Sequence, residues 1–390
     1  MTVKGSRKTI GVFALASFLN DFGSDMIYPI WPLFVTSILQ ADMVILGFID
    51  GLGDAITSIS QAASGYVSDK IRKRKVFVWT GYLLGSSSRV GYALSTVWQY
   101  VIPFRILDRA GKMRGAPRDA IIADASTDQN RGRNFGLLRA MDNLGAVCGI
   151  IVCILFFTLL GYTKLFLIAA LPSAIGAFLI LAFIKETKPS EERIYKGLSI
   201  RDLARDSNFR MFLLLSALFA VGSFSYSFLL IFAKHFGVQM EFVPVLYLIF
   251  TGVASIFSLP FGWLADKTAR KPVLVLSYAL WGLVSLCFIF VQSHVSIILT
   301  FVLYGLHRGA LEPVQKTFVS ELASIEYRAS TIGGFQIVVG LCALPSSLIA
   351  GLLWDQIDVF TPFYFSLILT ILSSVMLILV KERTNCEQPT

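Results

Sequence analysis

Runs of about twenty apolar residues recur along this 390-residue chain, and that is the length of α-helix needed to cross the ~30 Å hydrocarbon core of a bilayer. Twelve such stretches are predicted as spans, at 10–38, 44–67, 76–95, 97–121, 134–159, 164–184, 210–233, 243–264, 273–291, 295–318, 330–353 and 362–380. Hydrophobic side chains make up 55% of the residues and charged ones only 15%, where soluble domains carry roughly 25% charged residues. A soluble globule and a disordered chain are both excluded. A transmembrane β-barrel is excluded too, because its strands alternate polar and apolar residues and never stay apolar for a whole helix length. The expected fold class is an all-α membrane protein of twelve transmembrane helices in two pseudo-symmetric six-helix bundles.

The net charge of +9 is spread as short basic clusters between apolar runs. With the N-terminus inside, 23 of the 34 Lys and Arg residues fall in segments on that side, and only Lys164 and Lys234 fall in loops on the other. Such a bias fixes orientation. It predicts a multi-pass membrane protein with both termini cytoplasmic, and it argues against a nucleic-acid surface. Lys4, Arg7 and Lys8 precede the first apolar run as in a signal peptide, but the run continues to about Ile38 without a small-residue cleavage pattern, so it reads as a retained helix. Cys148, Cys153, Cys287, Cys342 and Cys386 form no CxxC pair, so neither a disulfide framework nor a zinc site is expected. No HExxH, GxSxG or Walker loop appears, so the chain reads as no enzyme, and no cofactor is expected.

One spacing relates the two halves. Gly65 and Asp69 in GYVSDKIRKRK match Gly262 and Asp266 in GWLADKTARKP at an offset of 197 residues. The same offset pairs Asp124 with Glu321, Arg131 with Arg328, and Gly136 with Gly333. The chain therefore divides into an N-terminal bundle at 1–184, a polar cytoplasmic linker at 185–209 and a C-terminal bundle at 210–390. Within the linker, Leu198–Arg205 could form a short interfacial helix. Repeated halves of this kind are the architecture of secondary transporters, whose substrate site lies at the repeat interface near the bilayer midplane.

GYVSDKIRKRK resembles the GxxxDRxGRRK loop signature of the major facilitator superfamily, with Gly65, Asp69, Arg72, Arg74 and Lys75 supplying its glycine, acid and basic cluster. Gly262, Asp266 and Lys271 belong to its degenerate second copy. The stretch ILDRAGKMRGAPRDAIIAD resembles a bacterial twelve-helix subgroup of the superfamily, permeases related to drug and metabolite exporters. The resemblance implies a protein of the bacterial inner (plasma) membrane; the expected gating residues are Gly65, Asp69, Arg74, Gly262, Asp266 and Lys271. The residues alone support two readings of Asp69, a latch that pairs with an arginine or helix terminus and a simple topology anchor. Two departures stand out. The superfamily arginine of helix four aligns with Arg105, but Arg109 stands where a glycine belongs. In helix five, Gly145 and Gly149 match the exporter pattern GxxxGPxxGG, but Ile150 replaces the proline. Those two glycines still read as a close-packing face.

Sixteen charges lie inside the predicted spans: Arg89, Arg105, Arg109, Lys112, Arg114, Arg118, Arg139, Arg308 and Lys316, with Asp21, Asp25, Asp50, Asp54, Asp108, Asp142 and Glu312. Facing lipid, each would cost ~2.5–3.5 kcal/mol, on the order of 40 kcal/mol together, far beyond a protein's net stability of ~5–15 kcal/mol. They must pair with one another or line water. Asp21, Asp25, Tyr28 and Pro32 share one helical face, and Asp50, Asp54, Thr57 and Gln61 share another. Pro29 and Pro32 can break the first helix. Arg105, Arg109 and Lys112 form a basic stripe, and Arg139 and Asp142 sit at i, i+3. At the 197-residue offset, Asp21, Asp25, Asp50, Asp54, Arg105 and Arg109 map onto uncharged residues, so the chemistry is asymmetric.

Asp25 and Asp54, with Asp21 and Asp50, are the expected proton-coupling acids; their alternative is static pairing with the arginines. Arg105, Arg109, Lys112, Arg139, Asp142, Tyr28, Tyr226, His307 and Glu312 are the expected substrate-binding residues. His307 can also be a hydrogen-bonded interior histidine, and Arg89 either a snorkelling residue or an outer-gate partner. The expected partners are a small-molecule substrate, protons and the lipid bilayer, with the protein a monomer. The expected activity is proton-coupled transport of a small polar or charged organic solute, export favoured. The alternative is a divalent-metal transporter using the four aspartates.

Overall fold

A computed structural model describes residues 3–127, 130–186, 207–291, 293–322 and 328–380. Most of the expected linker, including Leu198–Arg205, lies outside the described residues, as does Cys386. The described residues are helical: α1 (Val3–Asp25), α2 (Met43–Ile71), α3 (Arg74–Leu94), α4 (Trp98–Ala110), α5 (Gly115–Asp124), α6 (Arg131–Phe183), α7 (Ser207–Gly222), α8 (Tyr226–His235), α9 (Val243–Lys267), α10 (Arg270–Phe290), α11 (His294–Leu322), α12 (Arg328–Gln356) and α13 (Thr361–Leu379).

The breaks between helices follow local chemistry. After α1 the chain turns at Tyr28–Ile30, because Pro29 removes a backbone donor and disfavours a helical residue before it. It resumes with Pro32 in the first turn of Trp31–Leu33, then a π-helical turn at Phe34–Ile38. The 53-residue α6 is interrupted at Gly161, whose φ of +67° is left-handed and open to glycine without strain. The interruption separates the windows 134–159 and 164–184. Between α2 and α3, Arg72 also takes a positive φ of 55°.

Among the described residues, eight helical stretches are long and apolar enough to cross a membrane: Met43–Ile71, Arg131–Phe183, Ser207–His235, Met240–Lys267, Arg270–Phe290, His294–Leu322, Thr331–Gln356 and Thr361–Leu379. The windows 10–38, 76–95 and 97–121 also fall on helices, α1 with its extension, α3, and α4 with α5. Their hydropathy is diluted by the residues that build the site described below.

Two compact units make up the chain. The first comprises Met1–Ala41, Leu52–Tyr195 and Met240–Val245. In it α1 and α3 pack along α6, and α4 packs on α3. Gly145 and Gly149 let α6 meet the backbone of α1 at Phe18 and Phe22, and a Cβ on Gly149 would stand 3.1 Å from the amide of Met26. Phe13, Val78, Tyr82, Ile122, Leu138 and Ile180 form a dry cluster. Leu155, Leu159 and Phe178 of α6 stay exposed, as a lipid-facing surface requires.

The second unit comprises Asp42–Gly51, Lys196–Gln239 and Leu246–Thr390. Here α10 packs on α11 and α13, and α7 on α12 and α13. Phe232 is ringed by Phe236, Phe288, Trp354, Phe360 and Phe363. The first third of α2 belongs to this unit. Its Gly51 is stripped to hydrogen because a Cβ would meet Ala343 O and Leu344 Cα at 2.7 Å.

Candidate functional site

The basic stripe is held on aromatic rings, but it is not one α-helical face: Arg105 and Arg109 lie on α4, and Lys112 lies on the 3-10 turn Gly111–Arg114 that follows it. Arg105, 2% exposed, places its guanidinium carbon 4.3 Å from the centroid of the Trp31 ring. Arg109 lies over Tyr28 at 5.2 Å, and the Lys112 ammonium over the same ring at 5.8 Å. The rings come from the turn that Pro29 and Pro32 impose after α1. Asp108 approaches Arg109 Nε at 3.7 Å. Gly53 of α2 faces the stripe, and a Cβ there would lie 3.1 Å from both Arg105 Nε and Arg109 Cγ. Trp31 itself packs against Tyr92 at a tilt of 57°, with centroids 4.8 Å apart.

A second cluster joins α5 to α6. Arg118 bonds Asp119 at 3.1 Å, Ser17 at 2.9 Å and Asp142 at 3.4 Å. Arg139 approaches Asp142 at 3.5 Å and Asp119 at 3.9 Å. Two cations thus face two carboxylates. Asp21 lies near enough for its charge to act on both Arg118 and Asp142, and it accepts a 2.8 Å bond from Asn20. Arg139 itself is exposed, so the interior member is Arg118, a residue the sequence counted without giving it a role.

Arg89 neither snorkels nor stands at a rim. Only 2% exposed, it donates to Ala169 O and Ser173 at 2.7 and 2.5 Å and to Ser24 at 2.7 Å. It ties α3 to α1 and to the second half of α6 through neutral oxygens.

The predicted gating loops form matching clamps, one in each unit. Arg74 holds Asp69 through Nε at 2.9 Å and Nη2 at 2.6 Å, and reaches Asp124 at 2.5 Å. Glu186 accepts from the Arg74 amide at 2.7 Å, and Lys75 Nζ donates to Leu181 O at 2.8 Å. In the second unit the clamp cation is Arg270, bonded to Asp266 at 2.9 Å and Glu321 at 2.8 Å. Lys271, the residue at the 197 offset from Arg74, instead donates to Ile378 O at 2.6 Å and Val380 O at 2.9 Å. It repeats the part of Lys75, because the second loop is one residue shorter between acid and cation. Gly65 meets only the Ala116 side chain, at 3.4 Å from an added Cβ, and Gly262 has open space around it.

The four acids expected to carry protons separate. Asp50 is 1% exposed and accepts from Ser225 at 2.8 Å and Ser227 at 2.5 Å within the second unit. Ser225 also caps α8 by accepting from the Ser227 amide. Asp21 and Asp25 are half-buried, and Asp54 is exposed. Residue count alone placed Asp54 deep; the packing of α2 places Asp50 there.

Tyr226 packs edge-on against Tyr247 at 5.3 Å. His307 is buried, bonded to Ser277 Oγ at 3.0 Å and wedged among Phe219, Trp281 and Tyr304. This is the setting of the hydrogen-bonded interior histidine. Glu312 is exposed and pairs with Arg308 one turn away. His307 and Glu312 therefore have different surroundings, one among buried rings and the other at an exposed ion pair. Among the described residues, no group of three or more His, Cys, Asp or Glu side chains is placed to hold a metal ion. The divalent-metal alternative therefore has no support.

With this geometry in hand, the relatives are informative. The chain matches the model of the Major Facilitator Superfamily over residues 13–256 and again over 211–389. An uncharacterized MFS-type transporter of Methanocaldococcus jannaschii is 38% identical over 383 residues, covering 96% of this chain and 95% of that one. A crystal structure of a mutant nucleoside transporter NupG has a TM-score of 0.82 at 17% identity, over 96% of this chain and 100% of that one. A POT family transporter crystallised with 5-aminolevulinic acid has a TM-score of 0.72 at 16% identity, over 95% of each chain. At such identities the two structures speak for the fold alone. The chain belongs to the major facilitator superfamily. It is an integral membrane transporter and not an enzyme.

Proposed function

We propose that this transporter is a secondary active permease for a small polar or charged organic solute, coupled to protons, with export favoured. Its bundles, 1–184 and 210–390 joined by the linker 185–209, rock to expose the cargo to each side in turn. It works as a monomer in the inner (plasma) membrane with both termini cytoplasmic. The observation that carries this reading is the polar interior of the first unit, where α4 and the 3-10 turn after it set Arg105, Arg109 and Lys112 on Trp31 and Tyr28 beside Asp108. Charges at that depth are costly unless they serve a solute path.

For the proton, burial favours Asp50. Asp50 accepts from the Ser225 and Ser227 hydroxyls at the head of α8, so it links α2 to an element that can move with the cargo. Asp25, Asp21 and Asp54 remain the other candidates. The clamps at Asp69–Arg74–Asp124 and Asp266–Arg270–Glu321 support the gating role, since each must open if its helices part.

The test is solute-induced proton flux in proteoliposomes with an entrapped pH dye and an imposed pH gradient. Wild type is expected to couple. Asp50→Asn and the double variant Asp25→Asn, Asp54→Asn separate the acids: the coupling acid's replacement abolishes gradient-driven accumulation and leaves downhill exchange. Full gradient-driven accumulation in both variants rejects the proton assignment.

A further inference from the structure

A cavity of about 680 Å³ opens beside the first clamp, within the first unit. Its walls are the start of α1, the turn between α5 and α6, and the start of α6, all at the edges of their predicted spans. Two hydrogen bonds stiffen the turn. Asn134 Nδ2 donates to Ser126 Oγ at 2.8 Å, and Asn130 Oδ1 accepts from the Thr127 amide at 2.8 Å. On the α1 wall, Gly11 leaves nothing within 4 Å of an added Cβ, so the space there is open.

Among the described residues, the charged side chains of the lining are Arg7, Arg133 and Asp124. Asp124 is already held by Arg74 of the clamp at 2.5 Å. The lining thus offers two guanidinium groups against one carboxylate that a third guanidinium has taken up.

Arg133 also heads an apolar stripe. Arg133, Leu137, Leu144 and Ile151 recur at i, i+4, i+11 and i+18, one face of α6. Leu137, Leu144 and Ile151 are 45%, 51% and 41% exposed. The stripe lies on the far side of α6 from Arg139, which approaches Asp119 and Asp142 in the polar cluster. At 1.5 Å per residue, Leu137 to Ile151 spans ~21 Å, longer than the ~15 Å half of the hydrocarbon core. Leu137 belongs to both features, since it lines the cavity and begins the stripe. A cation-lined cavity at the head of a leaflet-long apolar track has the two parts that a phospholipid requires. A soluble anion would need only the first part, and a simple topology anchor would need no cavity.

We infer that this cavity binds the phosphate headgroup of an anionic phospholipid, with Arg7 and Arg133 on the phosphate and an acyl chain along Leu137, Leu144 and Ile151. Guanidinium groups suit the phosphate because their donors form a planar fork. On the proposed orientation the lipid belongs to the cytoplasmic leaflet, which is the anionic one. The inference rests on the membrane placement of the chain and on neither its cargo nor its coupling ion.

The experiment is native mass spectrometry of the delipidated full-length protein in detergent. It is titrated with dioleoylphosphatidylglycerol, with dioleoylphosphatidylcholine and with the tail-free headgroup glycerophosphoglycerol. One basic residue beside an anionic headgroup is worth roughly five-fold in affinity, so the first phosphatidylglycerol should bind at least about 10-fold tighter than the first phosphatidylcholine. Arg7→Gln and Arg133→Gln should each weaken phosphatidylglycerol about five-fold and leave phosphatidylcholine unchanged. Gly11→Leu keeps both cations but fills the cavity, and should weaken phosphatidylglycerol as much. Lys267→Gln removes the same charge from the second unit and should match wild type. Arg7, Gly11, Arg133 and Lys267 are all exposed, so folding is not at risk. Equal affinity of the wild type for the two lipids overturns the inference. So does phosphatidylglycerol binding that Arg7→Gln, Arg133→Gln and Gly11→Leu all leave intact. Displacement of the lipid by glycerophosphoglycerol at equal concentration assigns the cavity to a soluble phosphate compound and overturns the lipid assignment. Because no transport is measured, each of these failures leaves the transporter reading in place.

Discussion

Which cation closes the second clamp is a sharp question, because the repeat offset and the structure answer it differently. Arg270 is 15% exposed on its side chain and bonds Asp266 at 2.9 Å, Glu321 at 2.8 Å and the carbonyl of Ala265 at 2.9 Å. Asp266 is two-thirds exposed, so that pair is worth only ~0.3–0.5 kcal/mol. Glu321 is one-third exposed, and its charged hydrogen bond contributes ~1–2 kcal/mol, with about 0.5–1 more from the carbonyl. Arg270→Ala should therefore destabilise by about 2–3 kcal/mol. For a unit of this size that lowers the apparent Tm by roughly 4–10 °C. Lys271 neutralises the C-terminal carbonyls of α13, a dipole contact of ~0.3–1 kcal/mol. Lys271→Ala should cost at most about 4 °C. Because unfolding of such proteins is often irreversible, both variants must be scanned at one fixed rate in one detergent. A Lys271→Ala protein that melts lower than Arg270→Ala would refute the register derived for the second clamp.

Other outcomes follow from the same geometry. Gly149→Ala drives a methyl into the backbone of α1 and should lower stability by ~1–3 kcal/mol, whereas Gly136→Ala, with nothing within 4 Å of an added Cβ, should raise it by ~0.5–1 kcal/mol; thermal melts of the pair should move in opposite directions. Arg89→Met removes the donor that Ala169 O, Ser173 and Ser24 share and should cost ~2–4 kcal/mol. Arg89→Lys should recover only part of this, because an ammonium cannot reproduce the planar fork, and both losses can be read from chemical unfolding in detergent. Ser227→Ala removes the 2.5 Å donor to the buried Asp50 and should cost ~1–2 kcal/mol of stability in chemical unfolding, while Ser374→Ala, whose hydroxyl bonds only its own helix at Thr370 O, should cost well under ~1 kcal/mol.

Much of this was legible in the sequence because lipid makes simple demands. Apolar runs mark the helices, Pro29 and Pro32 mark the turn after α1, and the Gly145 and Gly149 spacing marks the face that meets it. The acid, basic and glycine positions of the two loops led directly to Asp69, Arg74 and Asp266. What stayed hidden depends on partners that leave no periodic trace. A constant offset cannot register the single-residue contraction that puts Arg270 in place of Lys271. Asp50 and Asp54 share a helical face, yet their burial is decided by Ser225, Ser227 and the backbone of α12, all far away in sequence. Arg89 is held by serines and carbonyls, which carry no charge signature. Trp31 looks like an ordinary core aromatic until Arg105 is seen lying on it.

That the intramembrane charges line water while the apolar flanks face lipid can be tested without knowing the cargo. In a background with all five cysteines replaced, Asp54→Cys and Leu155→Cys report the two environments, since Asp54 is exposed among polar residues and Leu155 is 64% exposed on the apolar side of α6. In membranes opened to both sides, a charged, membrane-impermeant maleimide should label Asp54→Cys rapidly and leave Leu155→Cys unlabelled. Labelling of Leu155→Cys with protection of Asp54→Cys would contradict the account.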